Sequence, residues 1–391
     1  MGLAETSRPL RIANIIEEGR WGGPQKRITL VSAALKAHAV ETVVLLPKKE
    51  SEHFQQELDK EGVAWKTLSL HRLGRGWKTL VIYALTFFFD VFTIWRLLRR
   101  GSYDAIHVSG GAWQLKGAIA GRLSGTPVIW HLNDTQMPTV LVMLFNIMGR
   151  LADGFFVAAN RVRRYYIDGT ALAKTPVHLI PAPVVTANYS PEVAAGDDQI
   201  ANFPAPRIVT IANVNPIKGL KTLIDAAALL KKGLVDFSVV VVGAQYSSQR
   251  VHFKQLQTMI KAASLDNNIH FVGARKNVAS VLKSADTFVC ASFAEASPMA
   301  VWEAMSMGCA IVSTDVGDVS EYIKSGENGF VVPVGDAQAM ADAITRLAAD
   351  AVLRKEFGLR AREVACRALD ISVIAEKTAC AYRAIIAVAT H

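Results

Sequence analysis

Along most of the chain, hydrophobic and polar positions switch between two periods. Short runs rich in β-branched residues, RIANII, ETVVLL, AWKTLSL, DAIHVSG, PVIWHL, GFFVAA and VHLIPAP, predict strands, and the longer stretches between them repeat apolar residues at helical spacing. Strand alternating with helix is a βαβ series, hence a parallel sheet with both faces covered. Around Pro191 to Pro206 the pattern lapses into SPEVAAGDDQIANFPAP, which has linker composition. A second series follows, RIVTIAN, FSVVVVG, IHFVG, TFVCAS, AIVST and GFVVPV, and helical segments close the chain from about Asp336 to Val388. The expected architecture is α/β, two doubly wound Rossmann-like domains facing across a cleft: residues 1–190, a linker 191–206, residues 207–370, and a last helix, 371–391, packing back towards the N-terminal domain.

Composition narrows the class. At 391 residues with 51% hydrophobic content, the chain exceeds what one core usually organises and is neither disordered nor of low complexity. Its four cysteines, Cys290, Cys309, Cys366 and Cys380, form no C-x-x-C pair, which predicts reduced, buried thiols in a cytosolic protein. The opening MGLAETSRPLRIANII lacks the basic start and apolar core of a signal peptide, and Met1–Gly2 is set aside as an acylation start. The net charge of +9 is spread over LLRRG, RVRRYY and LLKKG rather than aromatic-interleaved stripes, which speaks against nucleic acid and fits a membrane surface.

The chemistry concentrates in FAEASPMAVWEAMSMGCAIVSTDVG, where Glu295 and Glu303 stand among small and apolar residues. Ser297 is the expected N-cap and Pro298 the first residue of a helix that ends at Gly308. Glu303 then lies inside an apolar helix, where a carboxylate needs a partner: a core Arg or Lys, or the hydroxyls of a ligand. The helix start, Met299 and Ala300 included, offers free amides and a positive dipole end suited to a phosphate. A sugar nucleotide would satisfy both glutamates and these amides.

The stretch EASPMAVWEAMSMGCAIVSTDVGDVSEYIKSGENGFVVPVGD resembles the C-terminal signature of glycosyltransferase family 4, retaining enzymes that use sugar nucleotides and have the GT-B fold; their two glutamates flank seven residues, as Glu295 and Glu303 do. NPIKGLKTLIDA resembles the family's phosphate-lysine segment, IHFVGA its base-binding turn, WHLND the end of an N-terminal strand, and GRWGGPQKRI its first glycine loop. The resemblance implies that Lys218 contacts the donor diphosphate, Gly22 and Gly23 admit the donor to the backbone, and His131 and Glu295 serve the transferred sugar. It also implies that Gly243, Val272, Gly273, Ala274 and Arg275 line the nucleotide site with Ser297, Pro298, Met299, Ala300 and Glu303. Asn213 stands where family members commonly carry an arginine, leaving Lys218, helix amides and Arg275 to stabilise the leaving diphosphate.

The implied reaction is transfer with retention, by a front-face route, with no metal and no cofactor. The donor is a substrate, a UDP-sugar in preference to a GDP-sugar, and the acceptor a glycan or lipid-linked molecule of cell-surface polysaccharide or glycolipid synthesis. A sugar-nucleotide epimerase of the same architecture and a degenerate sugar-nucleotide-binding protein are the alternatives. A dinucleotide dehydrogenase is disfavoured, because EEGRWGGPQ lacks the G-x-G-x-x-G spacing. The segment GRGWKTLVIYALTFFFDVFTIWRLLRRG, residues 74–101, is apolar enough to span a membrane, yet Asp90 near its centre would cost roughly 2.5–3.5 kcal/mol there. A crossover helix is expected instead. Its excess apolar surface rests on an anionic membrane, at the inner face of the plasma membrane, or is covered by a neighbouring helix or subunit.

Overall fold

The computed structural model describes residues 8–73, 76–233 and 236–389, and its chain divides into two compact units. The Met1–Gly2 start lies outside the described residues, as do Gly74 and Arg75 at the head of the apolar segment. In the sequence itself, Thr6 occupies the sixth position that an acylation start requires, so the pattern set aside above is in fact met.

The first unit comprises residues 1–183 and 371–391. Its strands are β1 (Leu10–Ile15), β2 (Val40–Pro47), β3 (Ala64–Leu68), β4 (Ala105–Val108), β5 (Val128–Leu132), β6 (Gly154–Val157) and β7 (Val177–Leu179), all parallel in the order β3-β2-β1-β4-β5-β6-β7. The second unit, residues 184–370, holds β8 (Arg207–Ile211), β9 (Ser238–Val242), β10 (Ile269–Gly273), β11 (Thr287–Cys290), β12 (Ile311–Thr314) and β13 (Phe330–Val332), again parallel, in the order β10-β9-β8-β11-β12-β13. Most of these strands are apolar and buried on both faces, which is why each reads as an unbroken β-branched run. In both sheets the winding direction reverses beside the first strand, between β1 and β4 and between β8 and β11; ligands of such sheets bind at the carboxyl ends there.

Helices approach the first sheet closely where glycine permits. A Cβ on Gly117 or Gly121 of helix Leu115–Ser124 would stand 2.7 Å from Ile15 or 2.6 Å from Ile106. The last helix, Ile371–Ala389, belongs to the first unit, where Ile374, Tyr382 and Ile385 are buried in its core.

Two sequence expectations change. Residues 191–206 fold as part of the second unit: Asp197 caps a short helix, Asp198–Ala201, and Ile200 is buried against Val209 and Val240, so polar composition there conceals an anchored segment. Of the cysteines, Cys290 and Cys309 are buried, but Cys366 and Cys380 are exposed on the outer faces of their helices.

Candidate functional site

At the reversal point of the second sheet, two loops are stitched together. After β8, Asn215 caps the short turn Pro216–Lys218, and Gly219 follows with φ of +66° at a point where a Cβ would lie 1.8 Å from the Ala291 carbonyl oxygen, so both the backbone and the packing require glycine. After β11, the Phe293 amide donates to the Ile217 carbonyl at 2.8 Å. This crossing brings Lys218 Nζ to 2.6 Å from Glu295 Oε1, which also accepts from Ser292 Oγ at 2.9 Å. Burial pulls the lysine's pKa down and the Glu295 carboxylate more than offsets it, so Lys218 titrates above its ordinary value. The pair is partly open, with side-chain exposures of 30% and 19%.

The helix beyond runs from Met299 to Ser306 and begins one residue later than the sequence suggests. Pro298, with ψ of 98°, is the extended N-cap, and the Ser297 hydroxyl is drawn sideways: it accepts from Trp302 Nε1 at 3.0 Å and donates to Asp318 Oδ2 at 3.1 Å. With no side-chain cap, the first amides, Met299 and Ala300, have no intrahelical acceptor. Asp318 is buried, and burial raises its pKa well above its ordinary value, partly offset by the hydrogen bond from Ser297. Glu303, 5% exposed, accepts from the Tyr189 hydroxyl, and burial followed by the Glu303 charge pushes that phenol above its usual range.

The remaining expected nucleotide-site residues lie at the ends of β8, β9 and β10. Gly243 is required by packing, since a Cβ would meet the Ala212 carbonyl oxygen at 2.2 Å, and Asn213 Oδ1 accepts from the Ala244 amide at 2.8 Å, tying the two loops together. Gly273 takes φ of +74° with open space around it, and Ala274 beside it is exposed. At the end of β10 the Arg275 guanidinium donates to the Val272 carbonyl at 2.7 Å and to Gln199, and faces Asp197 at 3.7 Å.

In the first unit, Gly22 caps helix Gly23–Ala34 with an extended φ of −170°, and neither Gly22 nor Gly23 meets a neighbour that would exclude a Cβ. Nothing in the chain's own packing demands glycine at either position. His131, 2% exposed on β5, has Nδ1 3.2 Å from His107 Nε2, and His107 Nδ1 pairs with the Tyr382 hydroxyl at 2.5 Å. Burial, then the charge of Arg27, holds both imidazoles well below their ordinary pKa, so they are neutral at pH 7. His131 Nε2 has no hydrogen-bond partner among the described residues.

Residues 22–183 match the Glycosyl transferase 4-like domain, and residues 198–364 match Glycosyl transferases group 1. The chain belongs to the group 1 glycosyltransferases. This glycosyltransferase is 22% identical over 279 residues to the Escherichia coli UDP-Gal:alpha-D-GlcNAc-diphosphoundecaprenol alpha-1,3-galactosyltransferase, covering 68% of this chain and 71% of that one. To the phosphatidyl-myo-inositol mannosyltransferase of Mycobacterium leprae it is 26% identical over 297 residues, 72% and 74% of the two chains. In fold it is similar to Anabaena HepE in complex with UDP and glucose, with a TM-score of 0.79 at 19% identity, covering 95% of this chain and 98% of that one. The two parallel sheets are those of the GT-B fold.

Three side chains of this glycosyltransferase escaped the sequence. Tyr189, the partner of Glu303, lies 114 positions away, just before the stretch of linker-like composition, and Asp318 reads as one of several loop aspartates. Arg27 was passed over inside GGPQKRI, yet it is 7% exposed, its Nε and Nη2 lack a hydrogen-bond partner among the described residues, and burial lowers its pKa to about 10. A cation in the first turns of a helix and without a carboxylate is the signal that could have marked it.

Proposed function

We propose that this glycosyltransferase is a retaining enzyme that moves a sugar from a nucleotide sugar, UDP-linked in preference to GDP-linked, to a glycan or lipid-linked acceptor at the cytoplasmic side of a membrane. The Lys218–Glu295 pair beside the uncapped helix start carries the proposal. A diphosphate carries more charge than one carboxylate and competes for Lys218, while the amides of Met299 and Ala300 take its remaining oxygens. Glu295, released, accepts hydrogen bonds from the transferred sugar, and Glu303 with Tyr189 serves the ribose hydroxyls. As the bond from the anomeric carbon to the diphosphate oxygen breaks, the acceptor oxygen bonds to that carbon from the same face. The acceptor's proton passes to the departing phosphate oxygen. Lys218 and the amides stabilise the charge that gathers on the diphosphate.

Two observations support the donor and acceptor classes. The HepE structure holds UDP and glucose, and the E. coli relative's name specifies a UDP-sugar donor and a lipid-diphosphate acceptor. In the first unit, a cavity of about 170 Å³ at the carboxyl ends of β1, β2 and β3 is lined by Glu18, Lys49, Arg72 and Ile82, offering polar and apolar walls to an acceptor. A thermal-shift screen of nucleotide sugars, followed by NMR of the product's anomeric proton, tests the reading. One UDP-sugar should raise the midpoint by mass action and yield a product of the donor's anomeric configuration. An inverted product, or no response to any nucleotide sugar, contradicts it. Asn213, in the place of the family's arginine, favours binding without transfer as the second reading; a midpoint shift with no product in the presence of acceptors would select it.

A further inference from the structure

Helix Trp77–Gly101 packs along helix Leu115–Ser124 through Tyr83, Asp90, Val91, Ile94 and Leu98, and turns its other side to solvent. Phe88 is 81% exposed, Leu85 79% and Phe92 51%. With Val81 these form one outward stripe at three- and four-residue spacing, and the next positions on the same stripe are Arg96 and Arg99. Helix Thr139–Met148 repeats the arrangement: Val140, Met143 and Ile147 face outward, and the exposed Arg150 follows three residues on. The crossovers from β3 to β4, β4 to β5 and β5 to β6 all step the same way across the sheet, so right-handed connections put these helices on one face. Both run against the strands, so their arginines gather at the same end of that face.

Asp90, which opposed membrane contact in the sequence, faces inward. It is fully buried and accepts from Lys116 Nζ at 2.8 Å, while that ammonium lies 3.9 Å from the Tyr83 ring centre and 3.4 Å from Glu17 Oε2. Helix Trp77–Gly101 has no other acidic residue, and helices Leu115–Ser124 and Thr139–Met148 have none. A spanning orientation would require this buried ion pair to break, whereas a surface orientation leaves it intact.

We propose that this face of the first unit is a docking surface for an anionic lipid bilayer. The two apolar stripes enter the boundary between headgroups and acyl chains, and Arg96, Arg99, Arg100 and Arg150 meet lipid phosphates. The occupant follows from the charge: apolar stripes that both end in arginines with no ion pair among the described residues match a layer that is apolar inside and anionic at its rim. Vesicle binding is read without donor or turnover, so it stands or falls apart from the glycosyl-transfer reading.

The test is co-sedimentation of the full chain with phosphatidylcholine vesicles, with and without phosphatidylglycerol. Binding should require phosphatidylglycerol and weaken with salt. The variant Leu85→Ser/Phe88→Ser/Phe92→Ser should partition at least about tenfold less, and Arg96→Gln/Arg99→Gln/Arg150→Gln should fall to the phosphatidylcholine level, since each arginine contributes about fivefold at low salt. All six side chains point outward, so both variants should keep the wild-type thermal midpoint; single Phe88→Ser serves if the triple variant does not fold. Equal recovery in the supernatant with and without anionic vesicles overturns the proposal. So does a dimer in solution that the serine variant dissociates, because a second copy would then own this face.

Discussion

Glu303 shows how a single buried carboxylate acquires meaning. Its position in an apolar helix is legible in the sequence, but its partner is not, because the chain brings Tyr189 to it from outside any motif. Tyr189→Phe leaves the buried carboxylate without that donor and should cost about 1–3 kcal/mol of stability, read by denaturant unfolding. An unchanged unfolding midpoint would show that Glu303 does not depend on the tyrosine. Arg27 poses the opposite case, a buried guanidinium with Nε and Nη2 unpartnered among the described residues. Arg27→Met keeps the length and removes the desolvated charge, so it should raise the thermal midpoint of the free protein and lower transfer. A variant both less stable and fully active would show that the arginine serves the fold alone.

At the scale of elements, strands were the most legible, since β-branched runs buried on both faces leave one interpretation; β1 and β8 both stand where read. Helix starts were less so: Ser297 has the chemistry of an N-cap, but Trp302 and Asp318 compete for its hydroxyl. Neighbouring strands also set a pH response. His107 on β4 and His131 on β5 have folded pKa values below the unfolded value of about 6.5, so the stability they permit is complete above that pH and is lost as pH falls below it. Glu17, just beyond β1, is raised to about 7, first by burial, so its contribution is present below about 4.5 and is lost as pH rises towards 7. The two effects oppose each other between roughly pH 5 and 6.5. Removing the second with Glu17→Gln should steepen the loss of stability on acidification by up to about 1.4 kcal/mol per pH unit. Parallel denaturation curves for variant and wild type across that range would refute the Glu17 assignment.

For the molecule as a whole, sequence order and folding unit part company at the end of the chain, because helix Ile371–Ala389 completes the first sheet's core rather than the second's. A chain ending at Asp370 loses Ile374, Tyr382 and Ile385, each contributing about 1.5–3 kcal/mol of burial, against a domain stability of roughly 5–15 kcal/mol. Its first unit should lose amide-exchange protection while the second keeps it; protection retained in β1 and β4 would contradict the division. Two repeating βαβ series made the paired domains legible, whereas the apolar helix face could be weighed only once Asp90 was seen to point inward. The central claim is that the second unit holds a nucleotide sugar through Lys218, Glu295 and Glu303. Calorimetric titration of the full chain with the nucleotide sugar chosen by thermal shift tests it most directly. Glu303→Gln and Lys218→Ala should each weaken binding by about tenfold to a hundredfold, the equivalent of a charged hydrogen bond, with folding intact. Wild-type affinity in both variants would contradict the account.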